Sequence, residues 1–238
     1  MAKKKILLFI VEGPTDETSL STVLSRIFSS DEIKFHVVHG DVLTRNFAGT
    51  DGIKKAVYAQ IKSFCDRSWG IYNLKDICRV VHLTDTDGVF VTDEAVIKED
   101  IKGKKYPFYT DSQILTPKPA NIIDRNVRKS SNIAKLSSTG RIGGIPYSFY
   151  YFSCNLDHVL HGRNNLSEAE KIECSRAFDL QYADDPNAFI RFMKDESFAV
   201  QGAYQETWTF IKQGVHSLER HSNFGIELPE QCEWEAPT

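Results

Sequence analysis

The residues of this chain best placed to do chemistry are acidic. Glu12 ends the apolar run Ile6–Val11, and Gly13-Pro14 turns the chain behind it. Asp85 and Asp87 end a second apolar run, residues 77–83, with Gly88 following. A carboxylate at the end of a buried strand is a frequent site position in open α/β sheets. If the two runs lie side by side, three carboxylates meet at one sheet edge, and like charges that close raise one another's pKa. A divalent cation relieves the conflict, and an all-oxygen donor set suits Mg²⁺ or Mn²⁺. Asp157, four residues past a third such run, is a candidate for the same cluster or for a helix cap. Asp41, just past another strand end, is a marginal one.

Several elements must position these acids. Residues 6–11 are apolar almost throughout, as a strand buried on both faces requires. Thr15 or Asp16 can cap a helix that buries Leu20, Val23, Leu24, Ile27 and Phe28 at i, i+3, i+4, i+7 and i+8. Residues 34–39 read as a second strand, broken by Gly40-Asp41. A helix carrying Ile53, Val57, Ile61 and Phe64 on one face leads to the strand at 77–83. This β-α-β-α-β order predicts a parallel α/β sheet with helical crossovers. Residues 91–146 are polar and proline-containing and read as an insertion with one helix, 121–136. An aromatic strand follows at 147–153. The remainder reads as helical: one helix from a Ser167 cap to about Tyr182, a short one from Pro186, and a third over 204–218. The tail from 226 has no periodic pattern.

The chain has 238 residues, is 41% hydrophobic and carries a net charge of −3, so overall charge excludes no partner. Charge is uneven, however. Residues 98–141 hold ten Lys and Arg against four Asp and Glu, a basic stretch suited to a phosphate backbone. Arg125, Arg128, Lys129 and Lys135 lie on its helix, where they could neutralise phosphates or be ordinary exposed residues; His158 could contact phosphate or be structural. Five cysteines with no CxxC pair predict free thiols and a cytoplasmic location. No apolar run reaches the length of a membrane span. Cys154, His158 and His161 lack a fourth ligand at zinc spacing.

Glu-Gly after the first strand and Asp-x-Asp after the third, here VEGPTDE (11–17) and LTDTDG (83–88), resemble the signature of the TOPRIM domain. That domain occurs in topoisomerases, bacterial primases and the overcoming-lysogenization-defect (OLD) nucleases. The resemblance covers roughly residues 4–90 and the strand at 147–153. It implies an α/β fold: a Rossmann-like TOPRIM domain (1–160, core 4–90 and 147–157) with a central parallel sheet and an insertion (91–146) after the third strand. An α-helical C-terminal extension (161–225) and a tail (226–238) complete the chain. The spacing is similar to that of OLD-type nucleases, which places Asp16, one helical turn after Glu12, among the metal ligands. The implied activity is endonucleolytic cleavage of DNA or RNA with Mg²⁺ or Mn²⁺. Glu12, Asp85 and Asp87 would be catalytic and hold one ion, and Asp16 with Asp157 would help to hold a second. A looser likeness of 151–162 to stand-alone TOPRIM effectors of anti-phage, abortive-infection systems implies a toxin-like role with an ABC- or SMC-like ATPase partner. A second copy of the chain is a further candidate partner. The chain itself has no GxxxxGK[ST] motif.

Two rival readings remain open at this stage. Asp85-Thr-Asp87 also resembles the motif of haloacid-dehalogenase-like phosphatases, with Asp85 as nucleophile, although that motif belongs on a first strand. Alternatively, the acids hold a structural ion in a non-catalytic binding or regulatory subunit.

Overall fold

The first apolar run has no polar side chain to give to water, and it forms an interior strand of the sheet. In the computed structural model, which describes residues 5–38, 41–47, 49, 51–100 and 103–233, β1 (Ile6–Val11) is buried along its whole length. Its alternate residues serve two cores. Leu7, Phe9 and Val11 pack into one; Ile6, Leu8 and Ile10 pack into the other.

On the first face lies α1 (Pro14–Ile27), joined further along the chain by α5 (Glu168–Ala183) and α6 (Pro186–Met193). On the second lie α2 (Gly52–Arg67), α3 (Pro119–Ser137) and α7 (Tyr204–Phe210). The five-stranded sheet runs β2-β1-β3-β8-β7, with β2 at Glu32–Val37, β3 at Ile77–Asp85, β7 at Arg141–Ile142 and β8 at Ile145–Phe152. The pairs β1–β2, β1–β3 and β3–β8 are parallel; β7 is an antiparallel edge. The chain leaves β1 toward β2 on one side and returns to β3 on the other. The sheet's switch point therefore lies between β1 and β3, where open α/β sheets bind their ligands.

Several elements differ from their expected bounds. The cap of α1 is Gly13, with Pro14 in the first helical turn, where its missing N–H leaves no bond unmade. Asp16 bonds back to the Gly13 N–H at 2.9 Å instead of capping from outside. Strand β2 begins two residues earlier than expected; His39 and Gly40 lie outside the described residues. The helix expected over 204–218 ends at Phe210, and the chain continues in turns through Gly214 at φ +52°. The spaced apolar residues were real but serve two cores: Trp208 and Ile211 join the α2 face, and Leu218 joins a third, smaller cluster.

The segment read as an insertion divides in two. Its first half forms a three-stranded sheet, β4 (Val96–Lys98), β6 (Ile114–Thr116) and β5 (Phe108–Tyr109) in that order. Its second half, α3, is the crossover helix between β3 and β8 and packs in the main core through Ile133 and Leu136. The five cysteines are free thiols, and among the described residues no helix is long and apolar enough to cross a membrane.

Candidate metal and phosphate site

The acids converge at the carboxyl edge of the sheet, on both sides of the switch point. Glu12 leaves the end of β1 and its Oε1 accepts from the Asp85 N–H at 3.1 Å and the Thr84 hydroxyl at 2.7 Å. Adjacent parallel strands bring these loops together although 73 residues separate them. Asp85 ends β3, and its Oδ1 accepts from the Leu156 N–H at 2.8 Å. That amide opens α4 (Leu156–His161), so a helix N-terminus meets the carboxyl group. Among the described residues, Glu12 Oε2 and Asp85 Oδ2 carry no hydrogen bond.

The loop after β3 is held from below. Thr86 N–H donates to Phe152 O, Asp87 N–H to Cys154 O and Gly88 N–H to Ser217 O. Asp87 takes a left-handed φ of +51°, which Asp tolerates better than most residues. Gly88 follows at φ +67°, and a Cβ there would lie 2.4 Å from Leu218 Cδ2. This double left-handed turn aims Asp87 away from Asp85 and toward α3.

There it meets Lys129, whose side chain is fully buried. The ammonium bonds Asp87 Oδ2 at 2.6 Å and Asp41 Oδ2 at 2.7 Å, and lies 3.9 Å from Glu12 Oε1. The Tyr109 hydroxyl donates to Asp87 Oδ1 at 3.1 Å, and Arg125 bonds the Asp87 carbonyl at 2.8 Å and the Tyr109 oxygen at 3.1 Å.

The two sides of the cluster titrate in opposite directions. Burial pushes Glu12 up to about 8; Lys129 pulls it down, while Asp41 and Asp87 add to the rise. Burial lifts Asp16 to about 6, partly offset by the Gly13 N–H. Asp85 stands well above the usual range, through burial and then through Glu12, Asp16 and Asp87. Asp87 is equally buried, yet Lys129 and Arg125 hold it below the usual range. Burial alone would strip the Lys129 proton; Asp87, Glu12 and Asp41 outweigh it and hold the ammonium firmly charged. His82, also buried and near Lys129, is pushed down to about 3 and stays neutral.

Of the other candidate residues, Asp157 acts on this arrangement, its charge adding to the rise of Asp16. Asp157 forms an ion pair with Lys171 at 3.0 Å, and the α4 cap is Asn155. Arg128 donates to Thr44 O and fastens the loop after β2. Lys135 sits two turns beyond Lys129, about 9 Å along α3. The His158 ring is buried, with Nδ1 unpartnered, and its field comes from Asp111, Arg220 and His221 rather than from the acids. Lys129 and Arg125 belong to the site; an exposed role for Lys129 is excluded. One signal was available, since Lys129 shares the 3–4-residue spacing of Ile122, Asn126, Ile133 and Leu136 on the buried stripe of α3. Nothing local marks Tyr109 or Thr84.

Among the described residues, no three His, Cys, Asp or Glu side chains stand close enough together to hold one ion as placed. The donor chemistry nonetheless fits a hard cation. Glu12 and Asp16 both crowd Asp85, and among the described residues one oxygen of each of the three carboxyl groups carries no hydrogen bond. Asp87 and Asp41 already have the Lys129 ammonium. No protein-family model, curated protein or solved structure matches this chain.

Proposed function

We propose that this protein is a TOPRIM-type, metal-dependent nuclease that cleaves phosphodiester bonds of nucleic acid. The observation that carries the reading is the meeting of Glu12 and Asp85 from separate strand ends, with Asp16 acting on Asp85 and their repulsion only partly relieved by Lys129 and Lys171. Glu12, Asp16 and Asp85 would hold Mg²⁺ or Mn²⁺; such an ion, when bound, polarises a phosphoryl oxygen and lowers the pKa of a bound water.

The remaining steps belong to the chain itself. Thr84 and the Asp85 N–H fix Glu12 Oε1 and leave Oε2 to face substrate or cation. Burial outweighs the nearby Lys129 ammonium, so Glu12 holds its proton at neutral pH and can deliver or receive one as charge beside it changes. Lys129 sets its single positive charge between Asp41 and Asp87 and keeps Asp87 in its left-handed turn. Arg125 and Tyr109 orient Asp87 from the opposite side. We further propose, on the likeness of residues 151–162 alone, an anti-phage effector role with an ATPase partner.

The test is incubation of the purified chain with Mn²⁺ or Mg²⁺ and single-stranded DNA, duplex DNA or tRNA. Cutting by the wild type that Glu12→Gln and Asp85→Asn abolish supports the reading. Silence on every substrate, with and without any ATPase encoded by a neighbouring gene, sinks it. A phosphoryl group trapped on Asp85 would favour the phosphatase instead.

A further inference from the structure

A cavity of about 270 Å³ opens directly beside the acids, and the steps above make no use of it. Asp85 and Asp87 form its inner wall. Its outer walls come from the segment before β5, with Tyr106 and Phe108, and from the loop after α4, with Asn164. We propose that this cavity receives one unpaired nucleotide of the substrate strand, next to the phosphate that is cut. The inference rests on the nuclease reading for its choice of ligand.

Three features point to a nucleotide. The volume lies just under the range of about 300–1,000 Å³ typical of small-molecule pockets, room for one nucleoside-sized group and no more. Phe108 is an aromatic wall; Lys104 Nζ stands 4.0 Å from its ring centroid and is paired with Glu99 at 2.6 Å. A flat ring suits a base, because every base has a π face to stack. Asn164 supplies polarity. Its Oδ1 is taken by Asn165 Nδ2 at 2.7 Å, and its Nδ2 has no partner among the described residues, so it can donate to a base edge.

The charges favour the same orientation. Lys105 lines the cavity from an exposed ion pair with Glu168 at 2.8 Å that a phosphate can displace, while Asp85 and Asp87 repel phosphate unless a divalent cation lies between. A base inside a stacked duplex cannot enter a cavity of this size without being extruded, which consumes binding energy. The strand must therefore be single, or looped and unpaired, at the point of cleavage.

The experiment measures binding apart from cutting. Fluorescein-labelled dT12, U12 and a 12-base-pair DNA duplex are titrated by anisotropy in Ca²⁺, with the full-length chain. We expect at least one single strand to bind about tenfold or more tighter than the duplex; the dT12 and U12 arms show which sugar is accepted. Phe108→Ala and Asn164→Ala should lose that preference, while Phe108→Trp keeps it. Tyr106→Ala replaces Phe108→Ala if the latter lowers the thermal midpoint. Equal affinity for strand and duplex, or alanine variants that discriminate like the wild type, overturns the proposal. The two readings fail separately. A protein that discriminates but never cuts with Mn²⁺ keeps the pocket and loses the nuclease. One that cuts, with Phe108→Ala and Asn164→Ala still discriminating, keeps the nuclease and loses the pocket.

Discussion

Asp85 and Asp87 are two residues apart in the chain and lie in different electrostatic worlds. Asp85 faces Glu12 and Asp16, and among the described residues its side chain accepts one hydrogen bond, from a backbone amide. Asp87 is turned by its left-handed backbone onto Lys129, Tyr109 and Arg125. Burial raises both; cations reverse the outcome for Asp87 alone. One half of the site is thus a finished structural network, and the other is a half-shell of carboxyl groups in which burial and mutual repulsion favour the protonated forms. Fold stability should reside in the first half and metal affinity in the second.

The sharpest way to break this division is Lys129→Met. It leaves two buried carboxylates without their ammonium, and urea unfolding should show a loss of about 3–5 kcal/mol. Lys129→Arg should not restore it, because a fully buried site shaped for an ammonium cannot admit a planar fork. On the other half the expected sign is opposite. Glu12→Gln should lower cleavage about a hundredfold or more, yet raise the thermal midpoint of the metal-free protein at pH 8. A midpoint that falls instead would mean that Glu12 is stabilising and the half-shell description wrong.

The pH dependence follows from the same groups. Glu12 rises from 4.5 to about 8 on folding, and Asp16 from 3.8 to about 6. Between those values the folded state holds more protons than the unfolded one, so stability falls as pH rises. Their contribution is intact below about pH 4 and is lost as pH passes through 6 and then 8. The metal-free thermal midpoint should therefore decline from pH 5 to pH 8, and Mn²⁺ should flatten that decline. A smaller effect separates Asp16 from Asp157. By calorimetry, Asp16→Asn should weaken Mn²⁺ binding about tenfold, whereas Asp157→Asn, already paired with Lys171, should change it little. The smallest is Tyr109→Phe, which removes one bond to Asp87 and should cost about 0.5–1.5 kcal/mol in urea unfolding.

Local pattern made much of this protein legible. The all-apolar run of β1 announced a strand covered on both faces, and the crossover helices followed from their spacing. Glu12 and Asp85 were visible because a carboxylate at the end of an apolar run is out of place in a core. Lys129 was hidden for the converse reason: in a stretch rich in lysine and arginine, one more cation reads as surface. The acids that make its burial tolerable, Asp41 and Asp87, lie 88 and 42 residues away.

What the sequence determined alone was therefore the alternation of strands and helices through β3 and the position of acids at strand ends, because periodicity and turn chemistry act over a few residues. Tertiary structure decided which acid is neutralised and which is left strained. A charge's environment depends on partners brought together by sheet order, and here the return of the chain across β1 placed Glu12 against Asp85 while α3 carried Lys129 to Asp87.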